Sequence, residues 1–328
     1  MKSRPSIKRD ARINGVRSVT IESDVLRVSI IPEIGGKIYD LISKPTGRNF
    51  LWHNPRVHPQ PYPVEAAMGD FWCGGWDDIF PTCDSCELNG FRYPALGELH
   101  QVSFAVDDLR VEGEQASARL SAFTPISAVK AEKTVIVRGP VLHMRSEITN
   151  LGAVPLDFLW GTHPAFSPSR GMILRLPAKT GMVAQTSGPD FGQKGQKYTW
   201  PRLETTTGVV VDMSQICGID ARGFCGHYAM DLQEGWYALE DPETGEGVVV
   251  KFPAERCPYI WMWLAYGGWR GHWVVIIEPY TSYPVCLSDA VKEKTQQTLG
   301  AGEKFIVEVA ASPYKMPETF ADALARLT

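Results

Sequence analysis

Val141-Leu142-His143-Met144-Arg145-Ser146-Glu147-Ile148 alternates in character along its length. Leu142, Met144 and Ile148 fall on one side, and His143, Arg145 and Glu147 on the other. Period two marks a half-buried strand, because successive side chains leave a strand on opposite faces. Upstream, Val25 to Ile31 repeats the pattern, with Leu26, Val28 and Ile30 on one face and Arg27 and Ser29 on the other. Further out, Thr134 to Val137, Val209 to Val211, Val248 to Phe252, Tyr259 to Leu264, Trp273 to Glu278 and Phe305 to Val309 are rich in β-branched and aromatic residues. Turn residues separate them: Asn14-Gly15, Arg138-Gly139-Pro140, Asn150-Leu151-Gly152 and Asp241 to Gly245. One stretch reads as helix, with Pro317 at its first position and Phe320, Leu324 and Leu327 on one face. Many strands with frequent turns predict an all-β antiparallel sandwich or barrel, with residues 1–328 as a single domain and a short C-terminal helix docked on it. Residues 52–70, with four prolines, and residues 181–203 read as long binding loops or lids.

The chain has 328 residues, 44% apolar and 21% charged, which is enough to build a core without disulfides or metal. A net charge of −4 excludes a general nucleic-acid footprint. Lys2, Arg4, Lys8, Arg9, Arg12 and Arg17 make residues 1–18 a basic, solvated arm. No apolar segment follows these cations, and the run Trp273 to Ile277 is too short to span a bilayer. The expectation is a soluble cytoplasmic protein, monomer or homodimer, with neither membrane nor nucleic acid as partner. Seven cysteines, with a lone Cys83-x-x-Cys86, read as free thiols rather than a zinc site or a disulfide framework.

Nucleophile elbows, phosphate-cradling glycine loops and the H-E-x-x-H zinc motif are all absent. Enzyme chemistry therefore falls to His, Asp and Glu. Four segments carry more: Ile31-Pro32-Glu33-Ile34-Gly35-Gly36-Lys37-Ile38; Gly74-Gly75-Trp76-Asp77-Asp78-Ile79-Phe80-Pro81 with Gly97-Glu98-Leu99; Trp160-Gly161-Thr162-His163-Pro164-Ala165-Phe166; and Ile277-Glu278-Pro279 with Leu299 to Glu303. In this order they resemble the aldose 1-epimerase (galactose mutarotase) family, over residues 31 to 303.

The resemblance implies a galactose mutarotase-like antiparallel supersandwich that interconverts sugar anomers without a cofactor or metal. Glu278 would take the proton of the anomeric hydroxyl and His163 would protonate the ring oxygen. The residues agree with those roles. Histidine titrates near neutrality. Glu278 shares a strand face with Val274 and Ile276, where desolvation would raise its pKa toward that of a useful base.

The family usually has a histidine where this chain has Leu96. His100, four residues on, reaches that space only if the strand bends, because the two lie about 13 Å apart along an extended chain. Asp77, Glu98, Trp76 and Arg270 are the expected sugar-binding residues, and Arg270 with His272 would suit an anionic sugar. Trp261 and Trp263 share a strand face and read as core. Two alternatives stand beside the epimerase: a sugar-binding protein weakened by Leu96, and a glycoside hydrolase or lyase using Asp77 or Glu98.

Overall fold

The computed structural model describes residues 4–327; Lys2, one of the N-terminal cations, lies outside the described residues. Two large antiparallel sheets share one core, the larger of thirteen strands and the smaller of eight, with two short two-stranded ribbons beside them. Across the middle of the larger sheet the order is Leu26–Ile31, Lys37–Ser43, Trp76–Ile79, Gly161–Phe166, Trp273–Tyr280, Tyr259–Tyr266 and Gly223–Met230. The smaller sheet centres on Lys304–Lys315, Val141–Asn150 and Val129–Arg138. The fold is the expected all-β sandwich.

The alternation at 141–148 is met in space. Leu142, Met144 and Ile148 join Val28, Ile30, Val275 and Ile277 of the other sheet in one core cluster. Each such burial is worth about 1.5–3 kcal/mol. Ser146 is the polar member of the inward row, and its hydroxyl donates to Asp78 of the facing sheet at 2.7 Å.

The strand Trp273–Tyr280 does not alternate, because both of its faces are covered. Val275 and Ile277 enter the core between the sheets. Val274 and Ile276 pack on the opposite, outer face with Trp52, Trp72, Ala165 and Ala265. Covered faces on both sides select a continuous apolar run.

Several expectations change. The basic arm is a strand: Ser6–Ile13 pairs with Val16–Glu22 through Asn14-Gly15 and forms an edge of the larger sheet. Arg4, Lys8, Arg9, Arg12 and Arg17 are exposed on this hairpin, and charge on an edge strand discourages further pairing. Residues 181–203 are not one loop. Thr180–Ser187, Lys197–Thr199 and Arg202–Glu204 extend the sheet toward its other edge. The 52–70 segment stays largely irregular and runs into the one-turn helix Met68–Phe71.

The C-terminal helix, Phe320–Ala325, starts after Thr319 rather than at Pro317. The Thr319 hydroxyl accepts from the Asp322 amide and the Asp322 carboxylate accepts from the Thr319 amide, a reciprocal cap. Ala323 and Leu327 dock on Val249 and Tyr314 of the smaller sheet. A further helix, Leu287–Glu293, starts at Cys286 with no side-chain cap, which leaves no mark of its start in the sequence. No helix among the described residues is long and apolar enough to cross a membrane.

Candidate active site

Strand parity builds the site on the outer face of the larger sheet. His163 lies opposite Asp77 in register. Gly161 pairs with Tyr280 and Ala165 with Ile276, which sets His163 level with Glu278 between them. On the next strand Trp261 lies opposite Glu278 and Trp263 opposite Ile276. Gly161 is required here: a Cβ would meet the Tyr280 ring at 2.2 Å, and that ring must lie close for its hydroxyl to reach Glu278.

His163 Nε2 and Glu278 Oε1 are 3.9 Å apart, with the two residues 5% and 1% exposed. Tyr280 donates its hydroxyl to Glu278 Oε2 at 3.0 Å. The Trp72 ring meets His163 edge-on at 5.6 Å. Burial pushes the Glu278 carboxyl well above the usual carboxylate range; the Tyr280 hydrogen bond opposes this, and the charges of Asp84 and Asp77 add to it. Burial, reinforced by the cation of Lys37, pushes His163 down to about 3. Burial therefore favours the neutral form of each group.

Above the pair opens a cleft of about 180 Å³. Its walls include Trp72, Trp261, Trp263, Trp269, Met68 and Leu96, with Asp84 and Gln185 as further polar groups. Trp263 and Trp269 meet edge to face at 5.1 Å. Trp261 and Trp263 thus belong to the cleft rather than to the core between the sheets. Their parity with Glu278 on the adjacent strand was the signal that could have found them. Trp72 and Trp269 come from irregular segments and Met68 from a one-turn helix, and none of them carried such a signal. Apolar aromatic faces with convergent polar groups suit the C–H faces and hydroxyls of a sugar.

The other expected residues are placed differently. Trp76 is 1% exposed and points into the core between the sheets, where Nε1 donates to Thr162 Oγ1 and the ring packs on Phe166. One residue of parity separates it from the outer face, so it is not a sugar platform. Glu98 is buried, and its carboxylate accepts from the Ile126 and Ser127 amides and the Ser127 hydroxyl, which fixes that loop and leaves it no role at the cleft. Arg270 donates to Gly69 O at 2.6 Å and to Asp70 Oδ1 at 2.7 Å. Through Nη1 it ties the 267–272 turn to the helix Met68–Phe71, and it is not among the residues lining the cleft. Asp77 does face outward, beneath the cleft, but as a buried ion pair with Lys37 at 2.5 Å.

His100 reaches the neighbourhood of His163 by a turn rather than along a strand. Leu96 and Gly97 take φ of 63° and 66°, and the His100 ring folds back to place Nδ1 3.1 Å from Leu96 O. A carbonyl only accepts, so Nδ1 carries the proton and Nε2 faces the interior as an acceptor without a partner. Gly35 (φ +66°) backs this turn: a Cβ there would lie 2.6 Å from the His100 carbonyl. Leu96 lines the cleft and His100 sits behind it, which removes His100 from direct contact with a ligand. The seven cysteines are all free. Among the described residues, no group of three or more His, Cys, Asp or Glu is arranged to hold a metal ion.

A family model described as a domain of unknown function (DUF5107) matches residues 7–86. Among solved structures, a candidate aldose 1-epimerase from Klebsiella pneumoniae superposes with a TM-score of 0.73 at 15% identity, covering 98% of this chain and 85% of that one. A galactose mutarotase-like protein from Clostridium acetobutylicum gives 0.68 at 15% identity, covering 95% and 99%. The Slr1438 protein of Synechocystis gives 0.66 at 17% identity, covering 94% and 98%. The chain has the galactose mutarotase-like fold. Identities this low establish the fold and leave the chemistry to be argued from the site.

Proposed function

We propose that the chain is an aldose 1-epimerase-like isomerase, with Glu278 and His163 as its acid–base pair. The observation that carries this reading is their 3.9 Å approach at the buried floor of a tryptophan-walled cleft. O1 and O5 of an aldose share one carbon, so two groups this close can serve both oxygens. One takes the proton from O1 as the C1–O5 bond breaks and C1=O1 forms; the other gives a proton to O5. Rotation about C1–C2 and the reverse steps close the other anomer and restore the pair.

The resemblance assigns proton removal to Glu278 and protonation to His163. That is the tautomer with the shared proton on the imidazole. Burial favours the opposite, neutral tautomer. The hydroxyls of a bound sugar would provide the solvation that the charged tautomer needs. Each proton-transfer partner typically supplies ~10²–10⁴-fold.

Anomer exchange, followed by NMR on a panel of aldoses, tests the reading. Glu278→Gln should abolish exchange while sugar binding persists. An active Glu278→Gln variant would remove the carboxylate from the chemistry. A weakened sugar-binding protein is the second reading. It is favoured by Leu96 on the cleft wall, where the family usually has a histidine. Wild-type binding without exchange would select it.

A further inference from the structure

The strand Thr180–Ser187 carries a bulge beside the cleft: Val183 pairs with His227 and Gln185 with Gly226, so Ala184 is an extra residue. Its effect is on parity. Val183 belongs to the core between the sheets. Regular pairing would set Gln185 opposite Cys225, which is also in that core. The extra residue turns Gln185 to the outer face instead, in one row with Gly226, Trp263 and Ile276. Bulges next to active sites re-aim side chains in this way. Gly226 leaves the row open: a Cβ there would lie 2.4 Å from the Trp261 ring, which covers it. No side chain of that row therefore stands between Gln185 and the tryptophans. Gln185 lines the cleft and is exposed, and its amide makes no hydrogen bond among the described residues.

We propose that Gln185 is a specificity-determining residue: its amide binds the hydroxyls on the edge of the sugar opposite the anomeric carbon. This rests on reading Glu278 and His163 as the pair that works on the C1–O5 bond. The strand of Gln185 is the third from the strand of Glu278 in the order of the larger sheet. Neighbouring strands lie about 4.8 Å apart, so about 14 Å of sheet separates the two backbones. Gln185 is thus too far away to share O1 or O5 with the acid–base pair. Side chains reaching inward from both strands narrow the gap to one pyranose ring with a hydrogen bond at each edge. Trp261 and Trp263, on an intervening strand, give that ring a face to lie on. The bond of a pyranose opposite C1–O5 is C3–C4. An amide has one acceptor oxygen and two N–H donors, so it can bridge the adjacent hydroxyls on those two carbons. A polar group set among apolar walls fixes the orientation of a ligand and gives the site its specificity.

The test is calorimetric titration of the wild type and Gln185→Ala with D-glucose, D-galactose, D-mannose and D-xylose. The sugar that the wild type binds most tightly is then compared with its 1-deoxy, 3-deoxy and 4-deoxy analogues. Gln185 is exposed, so the variant should fold as the wild type does, which urea unfolding would verify. Gln185→Ala should weaken the parent sugar by about three- to tenfold, the worth of a hydrogen bond or two to neutral groups. The same factor should hold for the 1-deoxy analogue, which lacks only the hydroxyl at the acid–base pair. It should shrink toward one for the 3-deoxy or the 4-deoxy analogue, because the partner of the amide is already gone. An unchanged affinity in Gln185→Ala, or an equal loss for all three analogues, overturns the proposal. None of these titrations depends on turnover. A wild type that binds these sugars without exchanging their anomers sinks the epimerase reading and leaves the role of Gln185 to the titrations, whereas a wild type that binds none of them sinks both.

Discussion

Asp77 and Asp78 are neighbours with the same side chain, and their strand sends them to opposite faces of one sheet. Each meets one buried lysine, Lys37 at 2.5 Å and Lys133 at 3.2 Å. There the likeness ends. Asp78 points between the sheets, where the Ser146 hydroxyl also donates to it and Lys133 reaches on to Gly36 O. Asp77 points outward, keeps one oxygen unmet and lies opposite a histidine with an unmet nitrogen. One pair is closed and joins two sheets; the other is left open beneath a cleft. The ion pair alone therefore does not distinguish structure from function. What distinguishes them is hydrogen-bonding capacity left unfilled next to a site.

Breaking the closed pair should have the largest effect on stability. Lys133→Met leaves Asp78 buried with only a hydroxyl for support, and loss of one partner of a buried ion pair costs about 3–5 kcal/mol. Urea unfolding would measure this, and the anomer-exchange pH profile should keep its shape. If the variant is as stable as the wild type, the pair does not hold the sheets together.

Acid sharpens the comparison from the outer face. His100 and His163 are pushed down to about 3, and His227 and His272 to about 4, in each case first by burial. A folded-state pKa below the ordinary value of about 6.5 gives stability that is present above it and is lost as pH falls toward the folded value. Each such imidazole adds up to about 1.4 kcal/mol per pH unit to the slope in that window. Glu278 acts in the other direction: its raised pKa contributes stability present below about 4.5 and lost as pH rises through the folded value. Urea unfolding at pH 7, 5.5 and 4.5 should show a steep loss toward acid, and His163→Gln should flatten it by about one proton. An unchanged slope in His163→Gln would mean that the ring already carries its proton in the folded state.

Much of this was legible in the sequence because strand parity is a local property. Leu142, Met144 and Ile148 declared the core face, and Glu278 declared its partnership with Val274 and Ile276. The level placement of His163 and Glu278 was legible only through the order of the family motifs, since a register spanning 115 residues has no local signal. Lys37 and Lys133 were not singled out, because a lysine inside a strand reads as solvent-facing until its partner is known. Asp77 read as a sugar-binding residue because charge marks chemistry and ion pairing alike. Trp72 and Trp269 were hidden for another reason: they come from irregular segments whose course depends on contacts with the finished sheet.

The smallest predicted effect compares two tryptophans on the two faces. Trp76 lies inside the sandwich and Trp263 stands on the cleft wall. Trp76→Phe removes the Nε1 donor to Thr162 and some ring volume, at a cost of about 1–2 kcal/mol in stability. It should leave sugar affinity unchanged, because the side chain lies on the side of the sheet away from the ligand. Trp263→Phe keeps an aromatic wall but gives up area, and aromatic contacts of this kind are worth about 0.5–1.5 kcal/mol, or roughly two- to tenfold in affinity. Its stability should change little. Calorimetric sugar titration and urea unfolding of both variants would show the two effects separating by face. If Trp76→Phe weakened binding as much as Trp263→Phe, the parity on which the site is built would be wrong, and the expectation from the sequence that Trp76 meets the sugar would return.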